Sequence, residues 1–559
     1  MSDPSLPARC NAVDSALLMS HMQEFARWVK LSGTPDETHS LRYIQAELDS
    51  YGYRTTLLRH DAYISLPGRS RVEIDGNAPR SITHSFSRSS PPGGLTAELV
   101  YVGAGSGDDF AGKDLRGRIV LVEGIASPAV SRRASLAGAV GQLHISPHEH
   151  IHEMCVSPVW GSPSPETLDA LPTTVVTTIA LADGAALRDR LARGEHPRVT
   201  LHAEVDTGWR PTPILVADLE APGGGADAPF VMFSGHHDTW YYGVMDNGGA
   251  NATMLETARL CATHRAQWKR GFRLCFWSGH SHGRYSGSAW YADEHWEELD
   301  RRCVAHVNVD STGGIGATVL ANSAAMAELA PLAAEAVRIR GGADYVGRPM
   351  DRSSDQSFWG IGLPSMLGSL SEQPEGPVKL RNKLGWWWHT PEDTLDKIDP
   401  ANLARDTRVF VHVLWRLLAD PVVPLDYAAW ATLLGRQLAE LAHPLHQCLP
   451  LDRLIAATRG LADAAEAVRR VKPAQANAAL LQVSRILVPL YTQAGRHLHD
   501  PALPQSSWPP LAALGELAAA PSGSDQARFA AVAARRARNR LLHAVQQATR
   551  VLQAARSDA

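Results

Sequence analysis

The sequence predicts an α/β protein: a mostly parallel sheet sandwiched by helices, interrupted by a β-rich insert and followed by a helical bundle. Three observations predict it. Between about 212 and 418, apolar strand runs alternate with helical stretches, the pattern of a largely parallel sheet covered on both faces. Between about 66 and 208, short β-like runs are broken repeatedly by Gly, Pro and Ser. From about 425 to 559 the chain is rich in Ala, Leu and Arg at helical spacing, with almost no β-branched runs. The expected units are 1–65 with 209–419 as one discontinuous α/β domain, 66–208 as the insert, and 420–559 as the helical domain. A length of 559 residues fits that many units.

The elements follow in order. Leu17, Met22, Phe25 and Val29 recur near helical spacing, and after the Gly33-Thr34-Pro35 break so do Leu41, Ile44, Leu48 and Tyr51. Tyr53–Leu58 reads as a strand. In the insert the β-like runs are 99–102, 119–122, 173–176 and 199–201, with one helical stretch over 131–139. In the α/β domain, 230–233, 272–277 and 305–309 read as strands, and 250–260 and 288–299 as helices. Pro421 and Pro424 mark the boundary to the helical domain, within which 504–523 reads as a loop.

Composition excludes several function classes. Lys+Arg is 54 against 58 Asp+Glu, so there is no basic surplus for nucleic acid or an anionic membrane. Hydrophobic residues at 44% and charged residues at 20% are globular proportions and exclude wholesale disorder. No apolar run approaches the ~18 residues of a membrane span. Met1–Lys30 has no basic stretch leading into an apolar one, and six cysteines are scattered without paired spacing. Both points lead to the expectation of a reducing, cytoplasmic location.

The strongest chemical signal is Gly235-His236-His237-Asp238-Thr239-Trp240, followed by Asp246-Asn247-Gly248-Gly249, directly after the 230–233 strand. Sheets of this kind gather functional residues at the carboxyl ends of their strands. His236 is placed there to ligate a divalent metal, with Asp238 near enough to orient its ring. Asp246 opens the next helix, Asp310 ends the 305–309 strand, and His389 lies in Trp386-Trp387-Trp388-His389-Thr390-Pro391. One such residue could cap a helix. Two His and two Asp at strand ends form a nitrogen–oxygen donor set suited to zinc or a neighbouring divalent metal.

These motifs, with Phe276-Trp277, Asn308-Val309-Asp310 and Asp393-Thr394-Asp396-Lys397-Ile398, resemble the co-catalytic zinc aminopeptidases, and more closely the glutamate carboxypeptidase/transferrin receptor group. The resemblance implies a zinc aminopeptidase-like fold, a protease-associated β domain as the insert, and a helical dimerisation domain at the end. It implies His236, Asp310 and His389 as ligands, Asp246 as a bridge between two ions, and Asp238 as the residue orienting His236. In the insert, Val100-Tyr101-Val102-Gly103, 115–122 and Ala137-Gly138-Ala139 carry the likeness.

One departure matters. After the Trp277 strand the family carries two adjacent glutamates, a general base and then a ligand. Here the segment is Trp277-Ser278-Gly279-His280-Ser281-His282-Gly283-Arg284-Tyr285-Ser286-Gly287-Ser288, one residue longer to the Gly-Ser pair. Anchored on Trp277, His280 takes the base position and Ser281 the ligand position. Anchored on Gly287-Ser288, Ser281 and His282 take them. Imidazole suits zinc better than a neutral hydroxyl, which favours His282 as replacement ligand and His280 as base. Two divalent ions bring +4, against −2 from Asp246 and Asp310, so a single ion or a weakened second site is expected.

The function expected is therefore metal-dependent hydrolysis of an amide or peptide-like C–N bond in a small substrate, by a homodimer. A non-catalytic binding protein, or a lyase with a His-rich metal centre, are the alternatives. His144, His148, His150 and His152 form a second cluster. Trp240, Tyr241, Tyr242 and Trp386–Trp388 could wall a pocket, and Arg284, Arg381 and Lys383 are the basic residues available for a substrate carboxylate.

Overall fold

A computed structural model describes residues 5–557 apart from 322, 349, 351, 377, 379–382, 494–499 and 507. Strands Phe230–His236, Gly271–Trp277, Cys303–Val309 and Ser365–Gly368 form the parallel heart of the sheet. Every residue of the first three is buried, as continuous apolar runs covered on both faces should be. Their spatial order places 230–236 between 303–309 and 271–277. The chain thus leaves the 230–236 strand to one side and later returns on the other, which opens a crevice at their carboxyl ends. The register pairs His236 with Trp277 and Ser234 with Asn308, so the three strands end at one level.

Helices Ser15–Phe25 and Ala250–Ala262 pack against each other and, with Pro400–Ala419, form a helical layer over the sheet. Asp14 caps the first helix by accepting the Ala16 and Leu17 amides. The expected 288–299 helix is two, Ser286–Glu294 and Trp296–Arg302, joined at His295.

The insert is tethered by a long antiparallel ribbon, Arg54–Ile74 against Arg198–Leu219. The expected boundaries at 65/66 and 208/209 fall inside these two strands. The insert is less purely β than its punctuation implies. Strands Leu95–Tyr101, Ile119–Glu123, Gly141–Ile145 and Val175–Ile179 run parallel, with helices Pro128–Leu136 and Leu181–Ala192 between or beside them. Gly141–Ile145 is a buried strand whose Gly-Gln-Leu-His-Ile sequence carries no β-branched run, which hid it.

Among the described residues, five α-helices of six residues or more follow Pro421: Tyr427–Leu445, Asp452–Val468, Pro473–Leu487, Pro509–Ala519 and Asp525–Ser557. The expected loop over 504–523 is corrected by the fourth of these. Pro509 and Pro510 occupy the first helical turn, where no amide donor is missed, so they start a helix there. Arg485 fastens the bundle to the α/β domain, donating to the carbonyls of Asp300 (2.8 Å), Gly362 (2.9 Å), Leu299 (3.0 Å) and Cys303 (2.6 Å).

Glu328 lies fully buried near that junction, and neither carboxyl oxygen has a hydrogen-bond partner among the described residues. Burial pushes its pKa up to about 7. The folded state therefore holds a proton that the unfolded chain releases, so stability is lost as pH rises from the ordinary carboxyl range through 7. Glu328→Gln is expected to reduce the loss of unfolding free energy between pH 5 and pH 8 by about 2 kcal/mol, read by denaturant titration at both pH values. An unchanged pH dependence would contradict this assignment.

Candidate metal centre

His236 is the last residue of its strand. Its Nδ1–H donates to the main-chain carbonyl of Asp238 (2.8 Å), which turns Nε2 into the crevice. There Nε2 lies 3.1 Å from Asp246 Oδ1 and 3.5 Å from Asp310 Oδ1. The other Asp246 oxygen, Oδ2, lies 3.1 Å from His389 Nε2. His389 is oriented in the same way, its Nδ1–H donating to the Glu153 carbonyl at 2.7 Å. Both imidazoles thus anchor their outer nitrogen to a carbonyl and direct Nε2 at the carboxylates, the orientation seen in metal-ligating histidines.

Asp246 sits in the turn Val244–Gly249, before the helix rather than on it. Gly243 precedes the turn at φ +51°, where a Cβ would lie 2.4 Å from the Asp246 carbonyl. The turn hangs on two residues. Asp393 accepts the amides of Met245 (2.9 Å) and Asp246 (3.1 Å). Asn247 donates to the His236 carbonyl (3.1 Å) and accepts the Ser311 amide (2.9 Å), tying two strand ends together. Asp310 is held by Ser354, whose hydroxyl donates to Oδ2 at 2.8 Å. Burial opposes the charge on His236 and Asp246, yet their mutual contacts and Asp310 win. The imidazole is held well above its ordinary range and the Asp246 carboxyl well below its own. Carboxylates so placed demand positive charge, which a divalent cation meets by displacing protons.

His280 stacks on His236 with ring centroids 3.7 Å apart and belongs with His236 and Asp310 to a group whose ligand atoms lie within 4.8 Å of one another. Its Nδ1 bonds to the buried Asp355 carboxylate at 2.9 Å, which sets the proton on Nδ1 and leaves Nε2 as acceptor. Asp355 was not singled out from the sequence, where Ser354-Asp355 sits in an unremarkable loop.

His282, expected as the replacement ligand, is not part of that group. Its Nδ1 lies 3.0 Å from Ser32 Oγ, its ring packs against Trp240, and burial pushes its pKa down to about 3. Main-chain pairing decides this: the His282 carbonyl accepts the Ser65 amide at 2.8 Å, drawing the segment onto the insert ribbon. Of this segment His280, Ser281, Arg284 and Tyr285 line the crevice, and the first two are the pair given by the Trp277 anchor. Asp238 also differs from expectation. Its carboxylate lies 4.0 Å from His236 Nδ1 and instead accepts the Ser281 amide (2.9 Å) and the Ser32 hydroxyl (2.5 Å). It orients His236 through its carbonyl and holds the His280–Ser281 loop with its side chain.

The crevice has a volume of about 380 Å³ and runs from Asp246, Asp310, His280 and His389 out to Trp240 and Trp388. Arg284 and Lys383 also line it, whereas Arg381 lies outside the described residues. Trp387 is core, and Tyr242 is exposed.

With paired imidazoles and carboxylates converging at strand ends, comparison with known proteins is informative. Residues 215–414 match the model of peptidase family M28. Over 505 residues the chain is 24% identical to the probable glutamate carboxypeptidase VP8 of Zea mays, covering 74% of this chain and 68% of that protein. It is 22% identical over 512 residues to the probable glutamate carboxypeptidase AMP1 of Arabidopsis thaliana, covering 75% and 70%. Among solved structures, the aminopeptidase from Aneurinibacillus sp. strain AM-1 superposes with a TM-score of 0.56 at 22% identity, over 73% of this chain and 95% of that one. The peptidase M28 precursor from Shewanella amazonensis SB2B gives 0.58 at 18%, over 73% and 95%. These structures share the M28 fold.

Within the M28 segment, Asp393 is the residue on which Asp246 presentation rests. Asp393→Ala, which frees both amides, is expected to weaken zinc binding at least about tenfold in chelator competition while the thermal melt shows a folded protein. Wild-type affinity in that variant would show that the turn holds itself.

Proposed function

We propose that this chain is a metal-dependent peptidase acting on small peptide-like substrates, with an altered catalytic pair. The observation that carries the reading is Asp246 lying 3.1 Å from both His236 and His389, with Asp310 at 3.5 Å from His236. The donors fit one divalent ion well: His236, Asp246 and Asp310 give nitrogen and two oxygens, the chemistry of zinc. They fit a second ion poorly, because the one grouping of three ligand atoms among the described residues is His236, His280 and Asp310, and His389 is not part of it. When bound, the ion supplies a Lewis acid for the scissile carbonyl and for water.

The chain's own residues supply the rest. His280, its Nδ1–H directed at Asp355, offers Nε2 as the general base and can return the proton to the leaving amine. Trp240 and Trp388 wall the crevice, and Arg284 and Lys383 stand where a substrate carboxylate would be met. Ser278–Ser288 contains no acidic residue, the single observation favouring a non-catalytic binding protein instead. Zinc in the purified protein without hydrolysis of any aminopeptidase or carboxypeptidase substrate would establish that second reading.

The homodimer forms, in this reading, through the terminal helix. Phe529 and Val532, one turn apart on Asp525–Ser557, are 76% and 45% exposed, an unusual cost for a face that meets only water. The six cysteines are free thiols, five of them buried, which supports the cytoplasm.

Elemental analysis of the protein purified without chelator is expected to find one divalent ion per chain, and chelation to abolish peptide hydrolysis. His280→Gln should retain the ion and lower kcat by about 100-fold or more; loss of the ion instead would make His280 a ligand rather than a base. Phe529→Glu with Val532→Glu should convert a dimer into a monomer in size exclusion with light scattering. A double variant that stays dimeric would remove this helix from the interface.

A further inference from the structure

The run His148-Glu149-His150-Ile151-His152 of the insert is not used by the centre described above. It is not a strand, so its histidines do not share one face. His150 stacks on Trp386, with centroids 4.2 Å apart, while His148 and His152 are buried with their Nε2 atoms 3.0 Å apart. These bonds fit a single arrangement of protons. His148 Nδ1 accepts the His150 amide at 3.1 Å, so the His148 proton is on Nε2, which donates to His152 Nε2. His152 must then carry its proton on Nδ1, which donates to the Trp388 carbonyl at 2.5 Å. A metal between the two Nε2 atoms would require a proton on His148 Nδ1, facing the His150 N–H. The pair is therefore not a metal site.

What it holds is the peptide before His389. The neighbouring Glu153 grips the same place from both sides. Its carbonyl accepts His389 Nδ1–H at 2.7 Å, and its amide donates to the His389 carbonyl at 3.0 Å. His389 has φ +58°, a left-handed conformation that a β-carbon disfavours and that its surroundings must enforce. Its ring is stacked under Trp388, with centroids 3.6 Å apart. The insert thus grasps residues 388 and 389 with three hydrogen bonds, one from an imidazole side chain.

We propose that His152, with its tautomer fixed by His148, is a positioning residue that holds His389 Nε2 against Asp246. The insert thereby fixes, through His389, the Asp246 carboxylate that the ion would share with His236 and Asp310. This rests on the peptidase reading above, since the centre it positions is the one assigned there.

Two substitutions test it. His152→Phe keeps the ring volume and removes the donor, while His152→Asn returns an N–H close to where Nδ1 stood. His152→Phe is expected to lower zinc affinity in chelator competition, and kcat, each by about tenfold or more, with KM within about threefold; His152→Asn should recover most of both. A His152→Phe protein that melts like the wild type and keeps its zinc affinity and kcat overturns the proposal, as does a His152→Asn protein no better than His152→Phe. Should His152→Phe fail to fold, His148→Ala takes its place: a smaller loss in the same direction is expected, and wild-type affinity overturns the relay. Zinc binding without hydrolysis in the wild type would sink the peptidase reading, while the affinity comparison would still decide the role of His152.

Discussion

The Asp246 carboxylate lies between two imidazoles, one oxygen toward His236 and the other toward His389. Much of the molecule serves to keep it there. Charge so deeply buried persists only with opposite charge beside it, so each partner must be delivered accurately and kept from turning away. His236 arrives on the central strand, and Asp310 on its neighbour, at a level set by the sheet register. Asp246 arrives on a turn suspended from Asp393, and His389 on a strained residue gripped by the insert. Four elements distant in sequence meet because strand ends at a topological switch point leave a crevice that the backbone does not fill.

The centre is asymmetric. On the His236 side, two carboxylates and an imidazole converge, with His280 stacked beside them. On the other side, His389 Nε2 meets the second oxygen of the shared Asp246. Negative charge and donor number govern the binding of hard divalent ions, and the two sides differ in both. Asp355, buried and bonded to His280, places a carboxylate directly behind that imidazole. A carboxylate behind an imidazole fixes its tautomer and the direction of its free nitrogen.

The helical domain is joined to the α/β domain by more than contact between apolar faces. Arg485 satisfies four carbonyls at the end of one helix and the start of a strand, and Arg270 reaches Leu417, Asp420 and Asn477 across the same junction. Guanidinium groups saturated by carbonyls fix orientation as well as distance, because the donors point in set directions. The junction thus fixes the bundle against the start of the Cys303–Val309 strand, which Asp310 follows.

The sequence by itself pointed to the layered α/β plan and the helical tail, and it picked out His236, Asp246, Asp310 and His389, which the fold brings together. Each of those follows from local pattern: apolar periodicity marks strands and helices, and polar residues directly after buried runs mark their ends. It did not reveal the strand Gly141–Ile145, which carries no β-branched run, or the helix begun by Pro509, since a proline that breaks a helix and one that starts it look alike in one dimension. It favoured His282 as ligand and His280 as base without showing which of the two lines the crevice. Only the tertiary structure decided that, through the hydrogen bond between the His282 carbonyl and the Ser65 amide and the Asp238 grip on the Ser281 amide. The same holds for Asp355 and His152, whose partners lie far along the chain. Side-chain direction there is set by long-range backbone pairing, and no short stretch of sequence contains that information.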